Sequence, residues 1–549
     1  MTDQRKSHVC WFRNALRLHD NPALTEALKG SDEESTGFIP LFIFDGTSNG
    51  TDLIGYNRMS YLLESLKDLD EQFKKFGGSF IIARGSPIQV LKEIHSKNPI
   101  MKITWEQDPE NKGQKRDNKV RDFCANAKIK AIEKQGHTLF DPWHIIAANG
   151  GIPPTTFTTF SKIVDCIGVP NRPVPNADLS HANFISSNFS FSFDKFPTPE
   201  DLNIFPHSTF DDTKKVYMGG ELKALEDLER RMTHEIDHFR KGRYLPNRRS
   251  PDILCPPKSL SPDLRFGCLS VRKFYWGIID ANWEFQKAVG LNIEINHQIV
   301  APLLWREFFY TMAAKNQYFT EIQRNPMCIP IPWTSTTDNK QFDAFVKGKT
   351  GFPFIDAGLR QLYSQGWIHH VVRNAITCFL TRGDLWISWE EGFKLFFKYL
   401  LDADEAVCAG NWMWISNSAF EEVFNCQHCI DPVNFGRRHD AHGEYVKRFI
   451  PELKSMPLEY IYEPWKAPHD VQVNVGCIIG EHYPSPVVNH KQISKLNTLR
   501  MKKLQLEFSH TRSNPRPRSE YLHPSNSTEA IKFMSFERNC RTCPSNKSI

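Results

Sequence analysis

With 549 residues, 40% hydrophobic and 12% aromatic, the chain is long enough for two or three domains with large cores, which excludes a disordered protein. No apolar run approaches the roughly 18 residues that span a bilayer; the longest, FIPLFIF at 38–44, has strand length. The net charge of +5 sits at the end of the chain, where residues 500–549 carry ten Lys/Arg against four Asp/Glu; residues 1–499 are near neutral and lack the charge expected of a nucleic-acid-binding body.

From Val9 to about 140, strands alternate with helices. VCWF is followed by a helix that Pro22 opens behind Asp20 and Asn21. After FIPLFIF comes a long helix with Leu62, Leu66, Leu69, Phe73 and Phe76 on one stripe, stopped by Gly77-Gly78. SFIIARG and MKITW then flank a helix capped by Ser86. This order predicts an α/β domain over 1–140 with a doubly wound parallel sheet.

Residues 141–215 are rich in Pro, Asn, Ser and Phe without a steady period and read as a connector over the surface. From 216 to 500 the pattern is helical throughout, predicting an all-α domain. Residues 501–549 lose it and form a basic tail, apart from the apolar island IKFMSF at 531–536.

The start, MTDQRKSHVC, has no apolar h-region, so no secretory signal is expected. Thirteen cysteines, an odd number spread along the chain, suit reduced thiols in cytoplasm and nucleus. The Cys-x-x-Cys pairs Cys426/Cys429 and Cys540/Cys543 lie more than a hundred residues apart and read as ordinary thiols rather than one metal site.

Three groups of residues carry chemistry. In GWIHHVVRNAITCFLTRGDLWISW (366–389), His370, Arg373 and Thr377 share a helix face. An arginine in so apolar a region needs an acid, and LDADEAVCAGNWMW (401–414) offers Asp402 and Asp404; the expected pair is Arg373 with Asp402, either a plain ion pair or part of a site. In PPKSLSPDLRFGCLS, Lys258, Ser259 and Ser261 precede a helix and suit either an N-cap or a phosphate. Trp333, Trp386, Trp389, Trp412 and Trp414 crowd the helical half, where indoles serve as core or as electron relays.

Together WFRNALRLHDNPAL, GYNRM, SLSPDLRFGCLS, LWREFFYTM, TGFPFIDAGLRQL, GWIHHVVRNAITCFLTRGDLW and LLDADEAVCAGNWMW resemble the photolyase/cryptochrome family, most of all its light-sensing insect (Drosophila-type) cryptochromes, up to about residue 485. The resemblance implies a U-shaped FAD in the helical domain. Arg231 and Tyr244 would stand at the pocket wall and Ser259, Leu260 and Ser261 at the phosphates, with Trp305 also among the cofactor contacts. His370 and Arg373 would lie over the ring, Asp402, Ala403 and Asp404 against ribityl, ring or adenine groups, and Cys408 toward the flavin N5. It also implies an electron path from Trp412 through Trp389 and Trp333 to Trp386, and leaves an antenna chromophore, folate or deazaflavin, open.

Within the family, Asn374 occupies the position of the second histidine of (6-4) DNA photolyases, which speaks against repair. Cys408 speaks against the light-independent transcriptional repressors, which carry Asn there. A thiol is a slow proton donor, so flavin reduction is expected to stop at the anionic semiquinone. The implied function is blue-light photoreception for the circadian clock without enzymatic turnover. The implied partners are clock proteins, Timeless-like and Period-like, and a ubiquitin-ligase component. Four departures stand out: Glu405 for a usual Trp, Pro302 for a Gln that contacts the cofactor, Pro257-Lys258 for Thr-Ser, and Ser535-Phe536 where light sensors carry a tryptophan.

Overall fold

The computed structural model describes residues 5–30, 36–46, 54–185, 189–193, 195–207, 215–240, 253–254, 259–291, 297–420 and 429–511. Five parallel strands, β1 (Lys6–Phe12), β2 (Thr36–Phe44), β3 (Ile81–Arg84), β4 (Ile100–Glu106) and β5 (Lys130–Lys134), lie in the order β3-β2-β1-β4-β5. All nine residues of β2 are buried, as a parallel strand covered on both faces requires. Its Pro40, which has no N–H to donate, stands just before the β2–β3 ladder begins at Leu41 opposite Ile81.

Strand alternation divides the sheet between two cores. Val9, Trp11, Ile39, Leu41 and Ile43 pack with Val90, Leu91, Ile94, Val120 and Cys124 from the helices Pro87–Lys97 and Asn111–Asn126. Cys10, Phe12, Phe38 and Phe42 face the other way and join a core that continues through the helical half. The Tyr56–Lys74 helix buries Leu62, Leu66, Leu69 and Phe73 in that core, whereas Phe76 lies past its end and is exposed. Asn21 caps the Pro22–Leu28 helix through Leu24 N at 3.0 Å; Ser86 precedes Pro87–Lys97 without a side-chain cap bond.

The stretch 141–215 is more structured than its composition suggests. It holds the helices Pro142–Ala148 and Phe157–Ile167, capped by Asp141 and Thr156, and Ile145, Phe157, Phe160 and Val164 enter the large core. The helical half begins at Glu221–Arg240, and its last helix, His490–Thr511, runs past residue 500. Polar bonds join the two halves: Asp20 takes a forked pair of bonds from Arg272 at 2.9 and 2.8 Å, and the Tyr61 hydroxyl donates to Asp263 at 2.5 Å. No helix among the described residues is long and apolar enough to cross a membrane.

Candidate functional site

The site grows from the turn between two helices. The Pro353–Gln365 helix ends at Gly366 in the left-handed region (φ +70), where a Cβ would crowd Leu401. The Gly366 carbonyl accepts from Leu401 N at 2.8 Å, which brings the 402–404 segment beside the next helix, His370–Cys378. His369 is its N-cap, with Nδ1 accepting from Val371 N at 3.2 Å. Burial, with Arg373 and His439 nearby, lowers the His369 ring to about 4 and keeps it neutral. His370, one residue on, is exposed and lies against His369 with ring centres 4.2 Å apart.

Arg373 reaches Asp402 with both terminal nitrogens, Nη1 to Oδ1 at 3.0 Å and Nη2 to Oδ2 at 2.8 Å, while its Nε donates to Ile368 O at 2.8 Å. The expected pair is therefore present, as a fork fixed at three points. Asp402 Oδ2 also accepts from Ser261 Oγ at 2.5 Å; Ser261 and Ser259 hydroxyls are 2.9 Å apart, and Trp367 Nε1 donates to Ser261 Oγ at 3.3 Å. Leu260, between the serines, is buried. Serines more than a hundred residues away in sequence thus join the Arg373–Asp402 pair in one polar cluster.

The second part of the site is the helix Glu405–Ile415. Asp404 caps it through Val407 N at 2.6 Å and accepts from the buried Tyr310 hydroxyl at 2.8 Å. Cys408 and Trp412 follow at intervals of four, so the three side chains share a face. Cys408 is 7% exposed; burial, then the Asp404 carboxylate, push its thiol far up, so that it stays protonated. Trp412 is 1% exposed and packs on Phe396 with ring centres 4.9 Å apart.

The other indoles are distributed unevenly. Trp389 is fully buried, and Trp333 and Trp386 touch with ring centres 5.1 Å apart. Trp386 adopts φ +55, unusual for a bulky side chain, and donates Nε1 to Pro332 O at 2.9 Å. Trp305 is stacked between Phe157 at 4.0 Å and Trp414 at 4.9 Å. Arg231 is paired with Glu235 on its own helix, and Ala403 is buried with its carbonyl accepting from Arg58 and Arg265 at 2.7 and 2.9 Å. Tyr244, Pro257 and Lys258 lie outside the described residues, and Pro302 is exposed.

Sequence reasoning missed Trp367, Tyr310, Arg58 and Glu110. Trp367 lies inside a quoted motif and was legible as a polar-tipped ring three residues before His370. Arg58 and Tyr310 likewise lie inside quoted motifs, GYNRM and LWREFFYTM, whereas Glu110 comes from a distant segment with no local signal.

Residues 8–176 match the family model described as DNA photolyase, and residues 299–503 the one described as the FAD binding domain of DNA photolyase. Cryptochrome-1 of Aedes aegypti is 43% identical over 535 residues, covering 96% of this chain and 97% of that one. Cryptochrome-1 of Drosophila melanogaster is 41% identical, covering 96% and 98%. The chain belongs to the photolyase/cryptochrome family. Vertebrate members match too, Cryptochrome-2 of Gallus gallus at 40% identity over 92% of this chain and 84% of that one. A bacterial class III photolyase from Agrobacterium tumefaciens superposes with a TM-score of 0.73 at 26% identity, covering 92% and 98% of the two chains. A Synechocystis cryptochrome shares the fold with a TM-score of 0.75 at 24% identity, covering 90% and 99%.

The chain's own residues suit the FAD of the matched domain. Two hydroxyls can meet phosphate oxygens, the carboxylate of Asp402, held by Arg373, can accept from hydroxyl or amino groups, and a buried neutral thiol one helical turn from Asp404 suits the edge of a flat ring. Photolyase-like sheet and helical FAD-binding domain are thus both in place.

Proposed function

We propose that this cryptochrome relative is a blue-light sensor that signals rather than turns over substrate. The observation that carries the reading is the succession Asp404, Cys408, Trp412 along one buried helix face, beside the Arg373–Asp402 fork. When bound, FAD supplies a ring that absorbs blue light and then accepts one electron.

The residues divide the remaining tasks. Ser259, Leu260 and Ser261 would hold the phosphates, with Arg231 at the pocket wall and Trp305 among the contacts; Tyr244, expected at the same wall, lies outside the described residues. Arg373 and His370 would face the ring, and Asp402, Ala403 and Asp404 would meet its ribityl, ring or adenine groups. Cys408 keeps its own proton, so charge added to the pocket is not neutralised from this position. Trp412 would be the first electron donor, followed by Trp389, with the touching pair Trp333–Trp386 as the outer end of the path. A unit charge in so dry a pocket is worth kcal/mol rather than tenths, enough to shift neighbouring groups.

Asn374 lies one turn along the helix from His370 and cannot act as a general acid, which favours sensing over (6-4) repair. The readout is a rearranged surface for Timeless-like and Period-like clock proteins and a ubiquitin-ligase component, in cytoplasm and nucleus. The added charge would loosen the C-terminal tail, whose apolar IKFMSF island would otherwise dock in the groove where photolyases admit a damaged base; the island lies outside the described residues. Absorbance of the purified protein before and after blue light tests the reading. Bound oxidised flavin that bleaches in the light is the expected result; no flavin at all makes the chain a scaffold, and light-dependent repair of a (6-4) lesion makes it an enzyme.

A further inference from the structure

Three consecutive residues of the α/β half, Glu110, Asn111 and Lys112, touch the ends of two helices in the other half. The Glu110 carboxylate accepts from Glu405 N at 2.7 Å and Ala406 N at 3.3 Å, the first amides of the Glu405–Ile415 helix. Those amides have no partner within the helix and carry its positive end, so an acid fits there. Asn111 Nδ2 donates to Ala313 O at 3.2 Å and Asn316 O at 2.7 Å, at the negative end of the Ala301–Ala314 helix that carries Tyr310. Lys112 pairs with Glu405 at 2.7 Å.

The same segment is held from its other side. Arg58, 0% exposed and also from the α/β half, donates to Ala403 O at 2.7 Å and Phe397 O at 2.5 Å, and Arg265 Nε donates to Ala403 O at 2.9 Å. Cation and acid from one domain thus grip Ala403 O and the Glu405 and Ala406 amides, on either side of Asp404.

We propose that Glu110 and Arg58 make the α/β domain a positioning clamp for the Glu405–Ile415 helix, setting where Asp404 and Cys408 stand. This rests on the light-sensing reading only for its functional consequence; the clamp itself is a property of the chain. Glu110 acts through its acceptor oxygen, which the carboxyl presents in either protonation state. Burial and the carboxylates of Asp404, Glu405 and Asp108, opposed by Arg265, raise its pKa, so the acceptor rather than a full charge is what the amides require. The charged groups facing it are Arg265 and Arg58 on one side and Asp404, Glu405 and Asp108 on the other.

The test compares Glu110→Ala and Glu110→Gln with the parent, as full-length flavin-loaded protein. Amide hydrogen exchange over 405–408 is read in the dark, with the thermal midpoint as the global control and the dark-recovery rate of the bleached absorbance as the functional readout. Glu110→Ala should speed exchange at Glu405 and Ala406 by about tenfold, with distant helices unchanged, and alter dark recovery. Glu110→Gln offers the same acceptor without a charge and should restore both. Unchanged exchange at these amides in Glu110→Ala, a uniform rise through the whole domain, or failure of Glu110→Gln to rescue would overturn the clamp. If exchange responds as expected and no form bleaches, the clamp stands and the light-sensing reading falls.

Discussion

Arg373 and Asp402 are joined by two parallel hydrogen bonds, and the same Asp402 oxygen that takes Arg373 Nη2 also takes the Ser261 hydroxyl. One carboxylate therefore ties three separate segments together. Asp402→Asn keeps the shape and removes the charge, leaving Arg373 without its counter-ion. The side chains are 23% and 7% exposed, so the cost lies below that of a wholly buried pair, about 2 kcal/mol. The urea midpoint should fall accordingly, and gel filtration should show FAD lost from the variant while the parent retains it.

Trp412 is held by what lies against it. A Cβ on Gly392 would come within 2.0 Å of Trp412 Cη2, so Gly392→Ala must push the indole or the Trp389–Tyr399 helix aside, at about 1–3 kcal/mol. Trp412→Phe removes the proposed donor and leaves a small cavity. We expect Trp412→Phe to retain FAD and lose photoreduction at a light dose that bleaches the parent, and Gly392→Ala to be less stable with slowed photoreduction. Trp414→Phe, altering an indole stacked on Trp305 outside the proposed path, should photoreduce normally. Undiminished bleaching in Trp412→Phe would refute the electron route.

Much of this arrangement was written locally in the chain. β-strand runs separated by capped amphipathic helices dictate the parallel sheet, and an arginine in an apolar helix demands an acid, which Asp402 supplies. What escaped has a common cause. Glu110 meets Glu405 across 295 positions, and nothing in either neighbourhood shows that one will cap the other's helix. Glu405 itself looked like an odd replacement for tryptophan, yet it has Lys112 as its partner. The 141–215 stretch hides two helices because Pro and Gly interrupt the period while Phe157, Phe160 and Val164 anchor it through tertiary contacts. Which indoles touch was likewise beyond spacing: Trp333 and Trp386 meet only because the chain turns sharply at 381–386.

Cys408 belongs to the proposed cofactor site and yet should be chemically quiet. The thiolate is the species that alkylates, and burial with Asp404 nearby keeps this sulfur protonated through the neutral range. Treatment of the native protein with iodoacetamide near neutral pH should label the exposed Cys166 and leave Cys408 unmodified until denaturant is added, as read by peptide mass spectrometry. Rapid native labelling of Cys408 would show an accessible thiolate and remove the reason for expecting no proton from it.

The last helix should hold more firmly in acid. His490 Nδ1 and Asp384 Oδ1 are 2.7 Å apart, and Asn497 Nδ2 donates to Gly383 O at 3.2 Å, so His490–Thr511 is tied to the strained turn that carries Trp386. Burial lifts Asp384 to about 6 against the pull of His490; burial opposes the rise of His490, but the hydrogen bond and charge of Asp384 outweigh it. Both groups bind protons more tightly folded than unfolded. The stabilisation from Asp384 protonation is therefore lost as pH rises from about 4 to about 6, and that from His490 as pH rises through its elevated value. Hydrogen exchange over 490–500, corrected for intrinsic rate, should accelerate between pH 5.5 and 8, by at most about tenfold per pH unit for each proton released. His490→Ala should abolish the upper part of this rise and leave the part belonging to Asp384; a profile that is flat, or that slows toward alkaline pH, would mean the pair does not hold the helix.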